Sequence, residues 1–332
     1  MTPLREKFRG CLLGGAVGDV AGAVVEAESP GYIAKTFKSI DDILAVETVE
    51  EFAGPDWRVG RYTDDTQMTL CVAEWLIAGE APDAEKLLGR FAAACQPWRR
   101  YGPGAEMILR EYRRNPAQWR SLATAAFPHG SFGNGSAMRV APVGLAFAND
   151  LSGAASVAVE SSRPTHSHPL AYQGVTLQSL AVAVATTSEP GTLDHAALLR
   201  LLRASLRRYV ELMQDTSKYD RALDAIEEAL DRNSTCAEMS ATLGTGVEAF
   251  EAVPMALYCF LRHRDSFADC LHHAVFIGGD TDTIACMAGS LAGAYLGEAA
   301  IPERWIEAIR EEHYPPARMR KTADLLHRAY AS

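Results

Sequence analysis

Apolar residues recur at intervals of three or four along most of this sequence, and no other feature constrains the fold as strongly. This spacing collects apolar side chains on one face of an α-helix, whereas a half-buried strand needs strict alternation. The segments with this spacing are separated by glycine or proline and comprise 66–78, 84–94, 171–186, 195–212, 219–231, 253–263 and 283–296. Alternation over more than four residues is scarce. The pattern predicts an all-α fold, a multi-helix bundle.

The length of the chain, 332 residues, is enough for about two average domains or for one large domain. The sequence contains no repeat of 20–50 residues, no low-complexity tract and no linker rich in proline, glycine or serine. We therefore predict a single domain over residues 1–332.

The composition restricts the partners and the compartment. A net charge of −10 argues against general nucleic-acid binding, which requires a basic surface. Seven scattered cysteines without a C-x-x-C pair are typical of reduced thiols. Asp19 interrupts the apolar run near the N-terminus, and the uncharged run 284–297 is shorter than the roughly 18 residues that a membrane span needs. We expect a cytoplasmic protein without a membrane-spanning segment.

Glycine occupies every fourth position in two of the helical regions. Residues four apart share one face of a helix, so each region has a flat face that another backbone can approach closely. These glycines are Gly14, Gly18 and Gly22 near the N-terminus and Gly289, Gly293 and Gly297 near the C-terminus. We expect them to pack tightly in the core, and such packing could bring charged helix ends together.

Two groups of threonine and aspartate stand directly before apolar helices: TDDT at 63–66 and DTDT at 280–283. Helix capping explains such residues, and buried cations of the same chain are a second explanation. A cap needs one side chain, however, and each group offers four oxygen-bearing residues. Carboxylate and hydroxyl oxygens suit Mg²⁺, Mn²⁺ or Ca²⁺ rather than Zn²⁺, and four aspartates carry more charge than one divalent ion neutralises. The two groups therefore favour a pair of metal ions.

Three further elements are less specific. Asp19 and Glu26 are seven residues apart and would share a helix face if the helix continued that far, although such a pair is more often solvated at the surface. PHGSFGNGSAMRVAP (128–142) has the glycines of an anion-binding loop but the order of neither a P-loop nor a dinucleotide fingerprint. His166, in THSHP (165–169), can cap the next helix or contact a ligand.

Five segments in this order make the chain resemble the ADP-ribosylglycohydrolases, the relatives of dinitrogenase-reductase-activating glycohydrolase. The resemblance runs from about residue 8 to 298, and the segments read GCLLGGAVGDVAGAVVE, YTDDTQMTL, GSFGNGSAMRVAPVGL, THSHPLAYQGV and GGDTDTIACMAGSLAGAYLG. The resemblance implies an all-α fold and a centre of two Mg²⁺ ions, with Mn²⁺ as the alternative. The implied metal ligands are Thr63, Asp64 and Asp65 on one side and Asp280, Asp282 and Thr283 on the other.

The resemblance also implies a catalytic and a substrate-binding set. Glu26 matches a family glutamate that lies beside the metals, so Glu26 and Asp65 are the two candidates for the catalytic base. The family's diphosphate-binding loop falls on Gly130, Ser131, Phe132, Gly133, Asn134 and Gly135. His166 matches a histidine near the adenosine end of the ligand.

The resemblance implies a metal-dependent hydrolase that cuts the glycosidic bond between ADP-ribose and a modified protein side chain and releases ADP-ribose. GSFGNGSAMRV and AFEAVPMALYCFLR (249–262) look more like the serine- and poly(ADP-ribose)-directed branch than the arginine-directed one, although Phe132 stands where a tyrosine is common. The expected partner is an ADP-ribosylated protein or ADP-ribose. The alternatives are an arginine-directed hydrolase, a bimetal pyrophosphohydrolase and a non-catalytic ADP-ribose-binding protein.

Overall fold

The regular structure of this chain is helical. The structure, a computed structural model, describes residues 1–47, 58–79, 81–209, 215–232 and 234–330. Within these ranges, extended pairing is limited to one bridge, between Gly133 and Glu248. The prediction of an all-α fold is therefore confirmed.

The α-helices of the described residues fall into an N-terminal and a C-terminal series. The first series is α1 (Leu4–Gly22), α2 (Pro30–Thr36), α3 (Ile40–Leu44), α4 (Asp64–Ile77), α5 (Ala84–Ala94), α6 (Pro103–Arg114), α7 (Trp119–Ala126), α8 (Ala141–Ala146) and α9 (Leu151–Ser162). The second series is α10 (Pro169–Thr187), α11 (His195–Tyr209), α12 (Ser217–Arg232), α13 (Cys236–Leu243), α14 (Ala249–Arg262), α15 (Phe267–Phe276), α16 (Thr281–Leu296), α17 (Glu303–Glu307) and α18 (Pro316–Tyr330).

Each of the seven predicted helices is present, and the segment 84–94 is matched by α5 to the residue. The largest difference is at the start of α14, which begins at Ala249 rather than at residue 253. The buried residues Ala249 and Ala252 extend its apolar face by one turn before Pro254, so the proline lies inside the helix. The predicted end of α11 at residue 212 lies outside the described residues.

Helices α1 and α16 pack against each other in opposite directions with their backbones in contact. A Cβ atom built on Gly14 would lie less than 3.0 Å from the carbonyl oxygen of Gly289, and one on Gly289 equally close to that of Gly14. Gly10 and Gly293 form a second such pair one turn away. The predicted close approach is confirmed for these helices, while Gly297 differs because it ends α16 with a φ of 88°.

This packing sets the start of α16 beside the end of α1. The hydroxyl of Thr281 donates a hydrogen bond of 2.8 Å to the carbonyl of Gly22, and Gly22 has no room for a Cβ because the backbone of 281–282 lies against it. The DTDT group is therefore fixed against the last turn of α1. Across the described residues, no helix has the length and apolarity that crossing a membrane would require.

Candidate metal and ligand site

The carboxylate of Asp19, in α1, fixes the start of α4. It accepts hydrogen bonds from the backbone N–H of Thr63 at 2.9 Å and from the N–H and hydroxyl of Thr66 at 3.0 and 2.6 Å. The hydroxyl of Thr63 in turn accepts from the N–H of Asp65 at 3.3 Å. Capping of α4 is thus carried by Asp19 and Thr63, so the carboxylates of Asp64 and Asp65 are not needed for it.

The start of α16 presents a second pair of carboxylates. Asn134 donates its side-chain amide to Asp280, and the N–H of Thr283 donates to Asp282 at 2.8 Å. The chain reaches this helix through Gly278 and Gly279, both with a φ of 78°, a backbone region that favours glycine. The double glycine of the GGDTDT segment therefore allows the sharp turn that aims Asp280 and Asp282 toward residues 130–135, the glycine loop.

Helix α1 does not continue as far as Glu26, so the condition for a face shared with Asp19 is not met. The helix ends at Gly22, and Glu26 lies in the turn that follows. The chain turns there because Ala27 adopts a φ of 66° and donates its N–H to the carbonyl of Gly279 at 2.8 Å. Oxygen atoms of Glu26, Asp280 and Asp282 lie within 4.8 Å of one another. Glu26 thus joins the carboxylates of α16 as a possible metal ligand.

The acidic groups and most of the glycine loop face one cavity of about 280 Å³. The sequence-predicted residues in its lining are Glu26, Asp64, Asp65, Ser131, Gly133, Asn134, Gly135, His166, Asp280, Asp282 and Thr283. In the described part of the chain, three predicted residues lie outside this lining: Thr63, Gly130 and Phe132. Thr63 is buried at the cap of α4, Gly130 turns against Ser167, and the Phe132 ring packs on His168 and Phe250.

The carboxylates in this cavity carry more negative charge than their surroundings offset. Burial, reinforced by the carboxylate of Asp19, raises the pKa of Asp64 and Asp65 well above the usual range. Burial and the Glu26 carboxylate do the same to Asp282, and burial raises the pKa of Asp280 to about 6 although Asn134 donates to it. Within the described residues, Oδ1 of Asp65 is buried without a hydrogen-bond partner. A hard divalent cation would satisfy these oxygens.

The side of the cavity formed by the glycine loop and His166 is held together by Arg139, which is fully buried. Its guanidinium donates to the carbonyl of Gly135 at 2.9 Å, to the carbonyl of Ser161 at 3.0 Å and to the hydroxyl of Thr165 at 2.8 Å. Burial lowers the pKa of Arg139 to about 9, so it stays charged at neutral pH. One cation therefore joins the glycine loop to the segment that carries His166.

The two histidines of THSHP have different roles. His168 caps α10, because its Nδ1 accepts from the N–H of Leu170 at 3.1 Å. His166 lines the cavity with its Nδ1 2.7 Å from the hydroxyl of Thr165. Burial, and after it the charge of Arg139, lowers the pKa of His166 to about 3, so its ring is neutral at ordinary pH. It can offer a hydrogen bond or a ring face to a ligand but cannot serve as a cationic anchor.

The glycine loop differs in part from a simple anion cradle. The N–H of Gly133 donates to the hydroxyl of Ser131 at 3.2 Å, and the N–H of Asn134 donates to the carbonyl of Val247 at 2.9 Å. Gly135 is needed for close approach, because a Cβ there would lie 2.8 Å from Cε1 of His166. The loop therefore brings its backbone close to His166, and the N–H groups of Gly133 and Asn134 are already hydrogen-bonded within the protein.

Several lining residues escaped sequence reasoning. They are Met68, Arg100, Phe127, Met138, Arg139, Thr165, Val247 and the segment 102–105. Arg139 lies inside the GSFGNGSAMRV segment. A single arginine among small and apolar residues could have indicated a buried cation there. Arg100 belongs to no chemical motif, and its approach to the cavity depends on tertiary structure alone.

Comparison with known proteins gives a consistent result. The family model described as ADP-ribosylglycohydrolase matches residues 1–332. The chain is 35% identical over 323 residues to ADP-ribosylhydrolase ARH3 of Bos taurus. The aligned region covers 90% of this chain and 87% of the relative. The corresponding protein of Homo sapiens is 35% identical over 324 residues, covering 90% of this chain and 88% of the relative.

A solved structure has the same fold over its whole length. It is described as an ADP-ribosylglycohydrolase-related protein complex and matches with a TM-score of 0.71 and 27% identity, covering 99% of this chain and 100% of that one. The family match, the relatives and this structure agree with the family that the motifs indicate. The chain belongs to the ADP-ribosylglycohydrolase family and is a hydrolase of ADP-ribosyl glycosidic bonds.

Proposed function

We propose that this protein is a metal-dependent hydrolase that removes ADP-ribose from O-linked, serine-type sites on proteins. The observation that carries the proposal is that the aspartates of the TDDT and DTDT groups line one cavity together with most of the glycine loop and His166. We assign the acidic side of this cavity to the distal ribose of the ligand, and the side with the glycine loop and His166 to its anionic, base-bearing part. The proposal treats residues 1–332 as one domain, as the sequence predicts.

The donor set suits two divalent cations, Mg²⁺ or Mn²⁺. Glu26, Asp280 and Asp282 offer oxygens close enough for one ion, and the α4 side offers Asp64 and the unpartnered Oδ1 of Asp65. Thr283 completes the set of ligands in the cavity lining, and Thr63, which lies outside that lining, holds Oδ2 of Asp65 at 3.2 Å. Bound cations would supply Lewis acidity and would fix the hydroxyl groups of the ribose beside the bond to be cut.

The chain's own residues then divide the remaining work. The loop 130–135 and His166 bind the ADP portion and orient the distal ribose toward the carboxylates. A carboxylate accepts the proton of the attacking water as positive charge develops on the ribose ring and the bond from the ribose to the side-chain oxygen breaks. The departing oxygen takes up a proton in turn, so the products are ADP-ribose and the free side-chain hydroxyl. Of the two candidates we favour Glu26, because its side chain is 35% exposed and lies on a turn, whereas Asp65 is buried and held by Thr63.

The choice of an O-linked substrate rests on the resemblance of two segments to the serine-directed branch, and these two segments contact each other. The N–H of Ala249 donates to the carbonyl of Phe132 at 3.0 Å, and the N–H of Asn134 donates to Val247 at 2.9 Å. The start of α14 therefore shapes the glycine loop directly. A residue of α14 that differs between the serine-directed and arginine-directed branches would therefore also change the conformation of the glycine loop.

A pair of peptides that differ only in the modified residue tests the function. We expect the serine-linked peptide to release ADP-ribose, EDTA to stop the release, and added Mg²⁺ or Mn²⁺ to restore it, as followed by mass spectrometry of both products. Release from the arginine-linked peptide alone would favour the alternative hydrolase. AMP as the product would favour a pyrophosphohydrolase, and binding of ADP-ribose without turnover would favour a binding protein.

The acidic cavity also predicts how metal binding changes the stability of the protein with pH. The four aspartates of the TDDT and DTDT groups have raised pKa values in the folded, metal-free protein, so this state holds more protons than the unfolded chain from about pH 4 to beyond about pH 6. Its free energy of unfolding therefore falls as the pH rises, by about 1.4 kcal/mol per pH unit for each extra proton.

A divalent cation replaces those protons, so its stabilising effect should increase with pH. We expect the difference in melting temperature between samples with Mg²⁺ and with EDTA to grow from about pH 5 to about pH 7.5. The nearby cation Arg139, with a pKa of about 9, remains charged over this range, and Asp19 titrates in the same direction as the four aspartates because burial raises its pKa. A melting difference that is constant over the range would contradict the assignment of these aspartates as metal ligands.

A further inference from the structure

Arg100 connects the loop before α6 to the turn that carries Glu26. Its Nη1 donates to Oε2 of Glu26 at 2.9 Å and to the carbonyl of Ala23 at 2.8 Å. The side chain of Arg100 is only 15% exposed, and both members of this ion pair line the cavity. The guanidinium is therefore placed between the end of α1 and the carboxylate that we assign to the reaction.

The backbone is in the left-handed region at both ends of this contact. Among the non-glycine residues that the structure describes, positive φ angles occur at Ala27, with 66°, and at Arg100, with 60°. Side-chain-bearing residues seldom adopt this region, and those that do concentrate where surrounding structure imposes a functional geometry. Here the two uncommon conformations flank a single ion pair.

Separate anchors keep both ends in place. On one side, Ala27 donates to the carbonyl of Gly279 at 2.8 Å, and the N–H of Gly279 donates back to the carbonyl of Glu28 at 3.2 Å. On the other side, Arg99 is buried, paired with Glu311 at 2.9 Å, and donates to the carbonyl of Tyr62 at 2.7 Å. The position of Arg100 relative to Glu26 is thus set by the core of the protein rather than by the pair alone.

We propose that Arg100 is a positioning residue for Glu26, which it holds at the cavity wall in competition with a divalent cation. The inference rests on the proposed function. The Glu26 carboxylate lies near those of Asp280 and Asp282, where a bound cation would attract it. The Arg100 guanidinium attracts the same carboxylate from the other side, so metal binding and the ion pair oppose each other.

The test measures Mn²⁺ binding to the full chain by calorimetry without any ADP-ribose. In Arg100→Gly the ion pair is absent and the left-handed backbone is relaxed, so the variant should fold. We expect its dissociation constant for Mn²⁺ to fall by about three- to tenfold. Arg100→Lys, which keeps the charge, should stay within about twofold of wild type. A merely structural defect would weaken metal binding instead.

A double-mutant cycle with Glu26→Gln shows whether Arg100 acts through Glu26. In that background, Arg100→Gly should change the Mn²⁺ affinity by less than about twofold. The matched control is Arg114→Gly, at an exposed arginine at the end of α6, which should leave the affinity unchanged.

Two results would overturn the inference alone: an affinity that is unchanged or weaker in Arg100→Gly, or an equal gain with and without Glu26. Wild-type protein that binds no Mn²⁺ would overturn both this inference and the metal dependence proposed above.

Discussion

Asp282→Ala is expected to lower kcat/KM for the release of ADP-ribose from a serine-linked peptide by roughly 10²–10³-fold, on the scale of removing one preorganised electrostatic contact from an active site. Asp282 lies in the first turn of α16 and is 4% exposed. It shares the close oxygen group with Glu26 and Asp280. Its loss would weaken cation binding and misalign the ribose hydroxyl groups. Initial rates measured over a range of Mg²⁺ concentrations test this.

The same variant should remain folded, which separates loss of chemistry from loss of structure. Burial, and after it repulsion by Glu26 and Asp65, raises the pKa of Asp282, so its charge destabilises the metal-free fold. In EDTA, the melting temperature of Asp282→Ala should equal or exceed that of wild type. Asp231→Ala makes the same change at an aspartate whose side chain is 72% exposed, and should alter neither quantity. A wild-type rate from Asp282→Ala would contradict the metal-centred proposal.

The parts of the site that the sequence could predict are those that depend on residues close together in the chain. Apolar spacing specified the helices, and the surplus of oxygens at 63–66 and 280–283 marked two helix starts as unusual. The fourfold glycine spacing indicated where two backbones meet. Each of these signals is contained within a few helical turns, where the geometry of the chain is fixed by the residues themselves.

The parts that escaped depend on contacts between distant segments. Asp19 caps α4 from 44 residues away. Its carboxylate therefore positions the start of α4 and does not act together with Glu26 on one helix face. The turn at Ala27 is imposed by Gly279, which no local pattern near residue 27 announces. The setting of His166 likewise depends on a distant residue, because the buried guanidinium of Arg139 donates to the hydroxyl of Thr165, which contacts the His166 ring. Partners fixed by tertiary packing decide these functions.

Gly289→Ala should destabilise the protein by about 3 kcal/mol, at the upper end of the usual cost of overpacking a core. The added Cβ would lie less than 3.0 Å from the carbonyl oxygen of Gly14, and this backbone atom cannot rotate away as a side chain could. Alanine favours the helical state by up to about 1 kcal/mol over glycine, which is too little to offset the clash. Chemical denaturation, with Mg²⁺ and with EDTA, measures the loss.

The matched control is Gly31→Ala, because a Cβ at Gly31, in the first turn of α2, has no neighbour within 4 Å. Alanine there should be neutral or slightly stabilising. Since the contact of α1 with α16 also sets Glu26 and Asp19 relative to Asp280 and Asp282, Gly289→Ala should lose metal affinity even where it remains folded. If Gly289→Ala matched wild type in both stability and metal affinity, the helices would be free to separate, and the spacing of the carboxylates would have another origin than this glycine contact.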